Sequence, residues 1–211
     1  MIVLSTAYKQ ALIGIELDGK QTFKCLDANC KHSENLLPAL DELLQEVGKC
    51  LADNDKYAVV IGPGSFTGLR ISTSLIKGLL AGENTKNVLA LTTFDLMAYS
   101  YIKNFAPKEN FVCVINALSG KYFVCEYSCT GDKIGAEMMI DKEAFSKLDK
   151  TTVSLEEEGV GQQLISPSAQ ELLALAKQKY DKSNLISAAQ LVPLYIRKSQ
   201  AEDALAEKEK K

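Results

Sequence analysis

The sequence predicts an α/β protein made of two similar units, and three features point that way. Runs rich in β-branched and aromatic residues open each half of the chain. Leucine-rich stripes at helical spacing follow them. Short apolar runs then lead through turns into further helices. At 211 residues the chain is long enough for one large domain or two small ones. An apolar share of 46% and a charged share of 24% are those of an ordinary globular protein. The net charge of −3 carries no basic excess, which argues against tight, direct nucleic-acid binding through Lys and Arg.

Residues 2–27 read as strands: IVLSTA, QALIGIEL and KQTFKCLD are apolar and β-rich, and Asp18-Gly19 is a hairpin turn. A helix is expected over 33–48, capped by Ser33, with Pro38 near its first turn and Gly48 at its stop. Leu36, Leu37, Leu40, Leu43, Leu44 and Val47 form one apolar stripe along it. KYAVVIG is a short buried strand, and residues 67–81 form the next helix. Its apolar residues (Leu69, Ile71, Leu75, Ile76, Leu79, Leu80) occupy more than one face, so it should be covered on two sides, with small Ser72, Thr73, Ser74 and Gly78 between. Strand NVLAL and helix TTFDLMAYSYIKN complete the first half. NFAPKEN, residues 104–110, is the best boundary, giving domains 1–103 and 104–211. The pattern restarts with strands FVCVINA, KYFVCEYS and KIGAEMMI, a short helix at 141–149, strand TTVSL and a helix at 167–180. The end of the chain reads as a charged, frayed tail. No sequence repeat links the halves; the duplication is one of element order.

The N-terminus shows no basic segment followed by a long apolar run, so no signal peptide is expected. No apolar run approaches the roughly 20 residues of a membrane span, and the expected location is the cytoplasm, without membrane contact. Six cysteines occur without a CxxC pair, most among apolar neighbours, and read as buried free thiols. A metal site from Cys25, Cys30 and His32, or disulfides, are the other readings.

The stretch VVIGPGSFTGLR, residues 59–70, has the look of a phosphate loop but fits no phosphate motif. Walker A needs GxxxxGK[ST], and no Lys follows Gly68. The dinucleotide pattern needs GxGxxG, whereas the spacing here is GxGxxxG, and Pro63 removes a backbone donor. A nucleophile elbow GxSxG fails because Pro63 and Thr67 flank Ser65. Catalysis by Ser65 would have to use His32, the only histidine. The structural reading is a strand-to-helix turn, Gly62, Pro63, Gly64, Ser65, Phe66, Thr67 and Gly68, in which Ser65 or Thr67 caps the helix. Its free N–H groups could still accept an anion, and Arg70 could hold a carboxylate or phosphate.

GPGSFTGLRIS followed by KGLLAG, preceded by HSENLLPALDELL, resembles the TsaB (YeaZ) family, whose pattern runs approximately HSExLLPxI, then GPGSFTGLRIG and a KGLA helix. VPLYIRKSQA is similar to that family's PxYLRxxxA ending. The resemblance covers most of residues 1–103 and the second half thinly. It implies an ASKHA (actin-like, sugar-kinase-like) fold of two mixed-sheet subdomains with flanking helices, the second one shortened. It implies a part in making N6-threonylcarbamoyladenosine at adenosine 37 of tRNA, as a non-catalytic subunit paired with the catalytic, metal-binding TsaD paralogue. A TsaE-like ATPase and a separate threonylcarbamoyl-AMP synthase complete the system, and tRNA is met only through the complex. ATP and a metal are thus expected on the partners, and no cofactor on this chain alone. Self-pairing as a homodimer is a further implied option.

The same resemblance assigns pairing to the two helices of the first half. The candidate partner-binding residues are His32, Glu34, Leu36, Leu37, Leu40, Leu43, Leu44, Arg70, Leu75 and Leu79, with Glu34 free to pair with Arg70 or a partner arginine. An interface of about 800 Å² per side would be normal. Alternatively both stripes cover the chain's own sheet. The family's first strand reads LAIDTS, and here Ser5 stands where Asp is expected; its DARRGEVY-like run becomes NALSGKYF, with Asn116 for Asp, Leu118 for Arg and Lys121 for Glu. Ser and Asn are weaker Mg²⁺ ligands than carboxylates, which speaks against the rival reading, a stand-alone ATPase or small-molecule kinase of this fold.

Overall fold

The computed structural model describes residues 1–82, 87–183 and 185–195. In chain order the first half holds β1 (Ile2–Ser5), β2 (Ala11–Leu17), β3 (Lys20–Leu26), α1 (His32–Glu46), β4 (Tyr57–Gly62), α2 (Phe66–Leu79), β5 (Asn87–Thr92) and α3 (Thr93–Phe105). The second holds β6 (Phe111–Asn116), β7 (Lys121–Tyr127), β8 (Lys133–Asp141), α4 (Lys142–Ser146), β9 (Thr151–Leu155), β10 (Gln163–Ile165), α5 (Ala169–Tyr180) and a short β11 (Ile186–Ser187). The strand orders are β11-β5-β4-β1-β2-β3 and β10-β9-β6-β7-β8. Five strands in each sheet therefore follow one plan: an antiparallel meander extended in parallel from its first strand.

The halves differ where a crossover is needed. α2 links parallel β4 and β5, but β9 and β10 are joined by residues 156–162 alone. A parallel pair usually needs a helix-length connection. Here β9 folds the short one onto itself. Ser154 Oγ accepts the N–H groups of Val160 and Gly161 at 3.2 and 2.9 Å, and Thr152 Oγ1 accepts that of Gln162 at 3.1 Å. A Cβ on Gly161 would sit 2.6 Å from the Ser154 nitrogen.

β1 is buried along its whole length because both faces of its sheet are covered. Ile2 and Leu4 meet Ile13, Ile15, Tyr57 and Val59 under α1 and α2. Val3 faces the second core, where α5 packs on the first sheet and on α3, and α3 lies against β6 and β9, the strands of Phe111, Cys113 and Val153. Polar ties fix this middle layer. The Asp95 carboxylate accepts from Lys179 Nζ at 2.7 Å, Tyr127 Oη at 3.2 Å and the Thr92 amide at 2.9 Å. Glu171 on α5 accepts from Ser100 and Asn104 on α3.

Several boundaries depart from expectation. α1 begins at His32, so Ser33 lies inside it and Lys31 caps it without a side-chain bond. Pro38 is consequently in the helix interior, where it forgoes the bond to the Glu34 carbonyl. α5 packs on β1, β2 and β3, and β11 pairs with β5, so the chain returns to the first sheet after residue 168 instead of staying in a second unit that starts at 104. Cys113 and Cys125 are buried thiols, but Cys25, Cys30 and Cys50 are exposed, because they lie on an edge strand and in loops. The charged tail, from residue 196 on, lies outside the described residues.

Candidate functional site

The Gly-Pro-Gly turn is a packing joint. Ser65 caps α2 by accepting the Gly68 N–H at 3.1 Å, and its own N–H donates to the Ala7 carbonyl at 2.9 Å. Thr67, the other capping candidate, is exposed within the first turn. Thr6 Oγ1 donates to the Gly68 carbonyl at 2.5 Å. A Cβ on Gly64 would overlap the Ala7 carbonyl oxygen, and one on Gly68 the Thr6 carbonyl oxygen. These two glycines let the start of α2 lie directly on the β1–β2 loop. Gly62, at φ 123°, and buried Pro63 close the strand end. There the Leu194 N–H donates to the Ile61 carbonyl at 2.7 Å. On its Gly64 and Gly68 side the turn rests on the backbone of residues 6 and 7, and its Pro63–Phe66 side borders an open cleft.

Arg70 is committed within the chain. Its guanidinium lies 4.0 Å from the Phe66 ring centre, and its Nε donates to Tyr195 Oη at 3.1 Å. Tyr195 in turn packs on Phe66 at 5.1 Å. Glu34 pairs with Lys31 at 3.0 Å, not with Arg70.

The helical stripe divides between core and surface. Leu36, Leu40, Leu43 and Leu44 are enclosed under α1 against the first sheet, which removes them from the expected partner surface. Leu37 is 50% exposed. On α2, Ile71, Leu75 and Leu79 recur every four residues and are half-buried against the same core. α1 and α2 touch, so the free flanks of both belong to one side of the molecule. His32 sits half-buried at the first position of α1, its Nε2 without a partner. Gly78 has open space around it.

A cleft of about 730 Å³ opens between the halves. The β1–β2 loop, the start of α2, the β6–β7 turn, the β9–β10 loop and Leu194-Tyr195 line it. Asn116 reaches it, with its Oδ1 engaged by the Leu118 N–H at 2.9 Å; Ser5 is fully buried and lies off its walls. The cleft does carry carboxylates, on residues that belong to no motif in the sequence. Glu157 accepts the Lys9 N–H at 3.3 Å, and Glu158 accepts the Asn116 N–H at 3.0 Å. Burial, opposed by that N–H and aided by Glu157, pushes the Glu158 carboxyl up to about 7. Their only signal in the sequence is the run of three glutamates directly after an apolar strand. Among the described residues no three His, Cys, Asp or Glu side chains gather as a metal group, and no helix is long and apolar enough to cross a membrane.

Two copies of one five-stranded plan facing each other across a cleft define a duplicated α/β protein of the ASKHA class. Residues 26–163 match the model of the family described as TsaD, tRNA N6-adenosine threonylcarbamoyltransferase. The chain is 24% identical to the tRNA threonylcarbamoyladenosine biosynthesis protein TsaB of Haemophilus influenzae over 93% of both chains. It is 23% identical to TsaB of Escherichia coli over 99% of both. The solved structure of YeaZ from Pseudomonas aeruginosa superimposes with a TM-score of 0.76 at 23% identity, covering 92% of this chain and 98% of that one. The chain belongs to the tRNA N6-adenosine threonylcarbamoyltransferase family and stands in it with the TsaB (YeaZ) proteins.

Proposed function

We propose that this chain is the accessory, TsaB-type subunit in threonylcarbamoyl transfer to adenosine 37 of tRNA, working by docking to a catalytic TsaD-like paralogue. The observation that carries the reading is the end-to-end match to proteins named TsaB, over 93% and 99% of both chains. The turn at residues 62–68 supports an accessory role, since it carries no lysine of the Walker A type to hold a triphosphate. The acidic cleft supports it too, because carboxylates repel phosphate oxygens. ATP and a metal belong to the partners on this reading, a TsaE-like ATPase joins the complex, and tRNA is reached through it.

Docking uses the free flank of α1 and α2. Leu37 on α1 and Ile71, Leu75 and Leu79 on α2 leave apolar surface on two helices that touch, and a pair of partner helices laid on them would complete a four-helix interface. The same flank would serve self-pairing when the partner is absent. The test is reconstitution: tRNA, threonylcarbamoyl-AMP, ATP, and TsaD and TsaE proteins from the same source, with and without this chain. Modified adenosine should form only when the chain is present, and the chain alone should release no phosphate from ATP. Equal modification without it would refute the reading.

A further inference from the structure

We propose that the cleft between the two halves binds an organic cation, an ammonium or guanidinium group on an apolar body. The cleft, about 730 Å³, has the size of a small-molecule site. Among its described lining residues Glu157 and Glu158 stand against one cation, Lys9. Each glutamate has one oxygen held by a backbone N–H, from Lys9 and Asn116 respectively, and the second oxygen of each has no donor among the described residues. The walls are apolar and aromatic: Phe66, Phe123, Leu118 and Tyr195. Arg70 comes from α2 as well, but it is stacked on Phe66 and bonded to Tyr195 and does not line the cleft.

Tyr8 gives an independent sign of a missing partner. It lines the cleft and is only 9% exposed, yet its hydroxyl makes no hydrogen bond. Burial raises its pKa well above the usual value, and Cys113, Glu158 and Glu157 raise it further. A buried hydroxyl without a partner is costly, and this one is closed to solvent within a residue that lines the cleft. Carboxylates with free oxygens and aromatic faces together favour a cation and disfavour phosphate. The raised pKa of Glu158 adds a condition: a cation binds its ionised form, so affinity should rise with pH through about 7.

The full chain would be titrated by calorimetry with 2-phenylethylammonium and with N-acetyl-argininamide, using 3-phenylpropionate and ADP as anionic controls. Saturable binding of a cation at pH 8 is expected, about tenfold weaker at pH 6, since Glu158 passes from mostly ionised to mostly neutral. Glu158→Gln should weaken binding and remove the pH dependence, and Glu157→Gln should weaken binding and leave the pH dependence in place. Tighter binding of the ammonium would assign the cleft to a free small molecule; tighter binding of the peptide-like guanidinium would assign it to a basic side chain of a partner. Both support the proposal. No saturable cation binding at pH 8, ADP binding more tightly than either cation, or binding unchanged in both glutamine variants would overturn it.

Discussion

Single residues decide what the turn at 62–68 is. Gly68 touches the Thr6 carbonyl so closely that any Cβ must push the start of α2 off the β1–β2 loop. Gly68→Ala should therefore destabilise the protein by about 1–3 kcal/mol, the range for overpacked, backbone-shifting substitutions, as measured by chemical unfolding. Thr67→Ala, exposed in the same turn, should cost little. Glu158 has the opposite kind of effect. Its folded pKa lies above that of the unfolded chain, so it lowers stability as pH rises between the two values. Glu158→Gln should raise the melting temperature at pH 8 and leave it unchanged at pH 3. The glycines were legible because a strand that ends in Gly-Pro-Gly must turn sharply, and glycine permits the close backbone approach found there. The capping serine was not separable from Thr67 by type, and only the reach of Ser65 Oγ to the Gly68 amide chooses it. Glu157 and Glu158 were not legible as cleft residues, because their position depends on how two distant halves meet.

At the level of elements, a stripe on a helix shows that a face is apolar but not which residue at its edge is enclosed. Leu36 and Leu37 are neighbours of the same type; one is 1% exposed and the other 50%. Leu40, fully buried, cannot probe docking, since Leu40→Arg would put a charge in the core and unfold the chain. Leu37→Arg and Leu75→Arg are the informative variants. The three-residue β10 and two-residue β11 fell below any readable period, and the short β9–β10 connection depends on Ser154 and Thr152 in place of a crossover helix. The α3–α5 layer carries its own prediction. Burial works against the Asp95 charge, but Lys179 and the Thr92 donors hold its carboxyl below the usual range. Because the folded pKa is the lower one, the stabilisation is complete above about pH 4 and is lost as pH falls through the folded value. Asp95→Asn should cost about 2 kcal/mol at pH 7 and much less at pH 2.

Over the full chain, the duplication was readable as a repeated order of elements without any repeated sequence, and both sheets share it. The chain after residue 104 does not stay on the second sheet, because α5 and β11 carry it back onto the first. On the proposed reading, what the chain offers a catalytic partner is the free flank of α1 and α2. The decisive experiment is light scattering after size-exclusion chromatography of the chain with its own TsaD-like paralogue. The wild type should give a complex of the summed mass, while Leu37→Arg and Leu75→Arg, each melting as the wild type does, should leave the two proteins apart. Complexes of full mass from both variants, or none from the wild type, would be incompatible with docking through these helices.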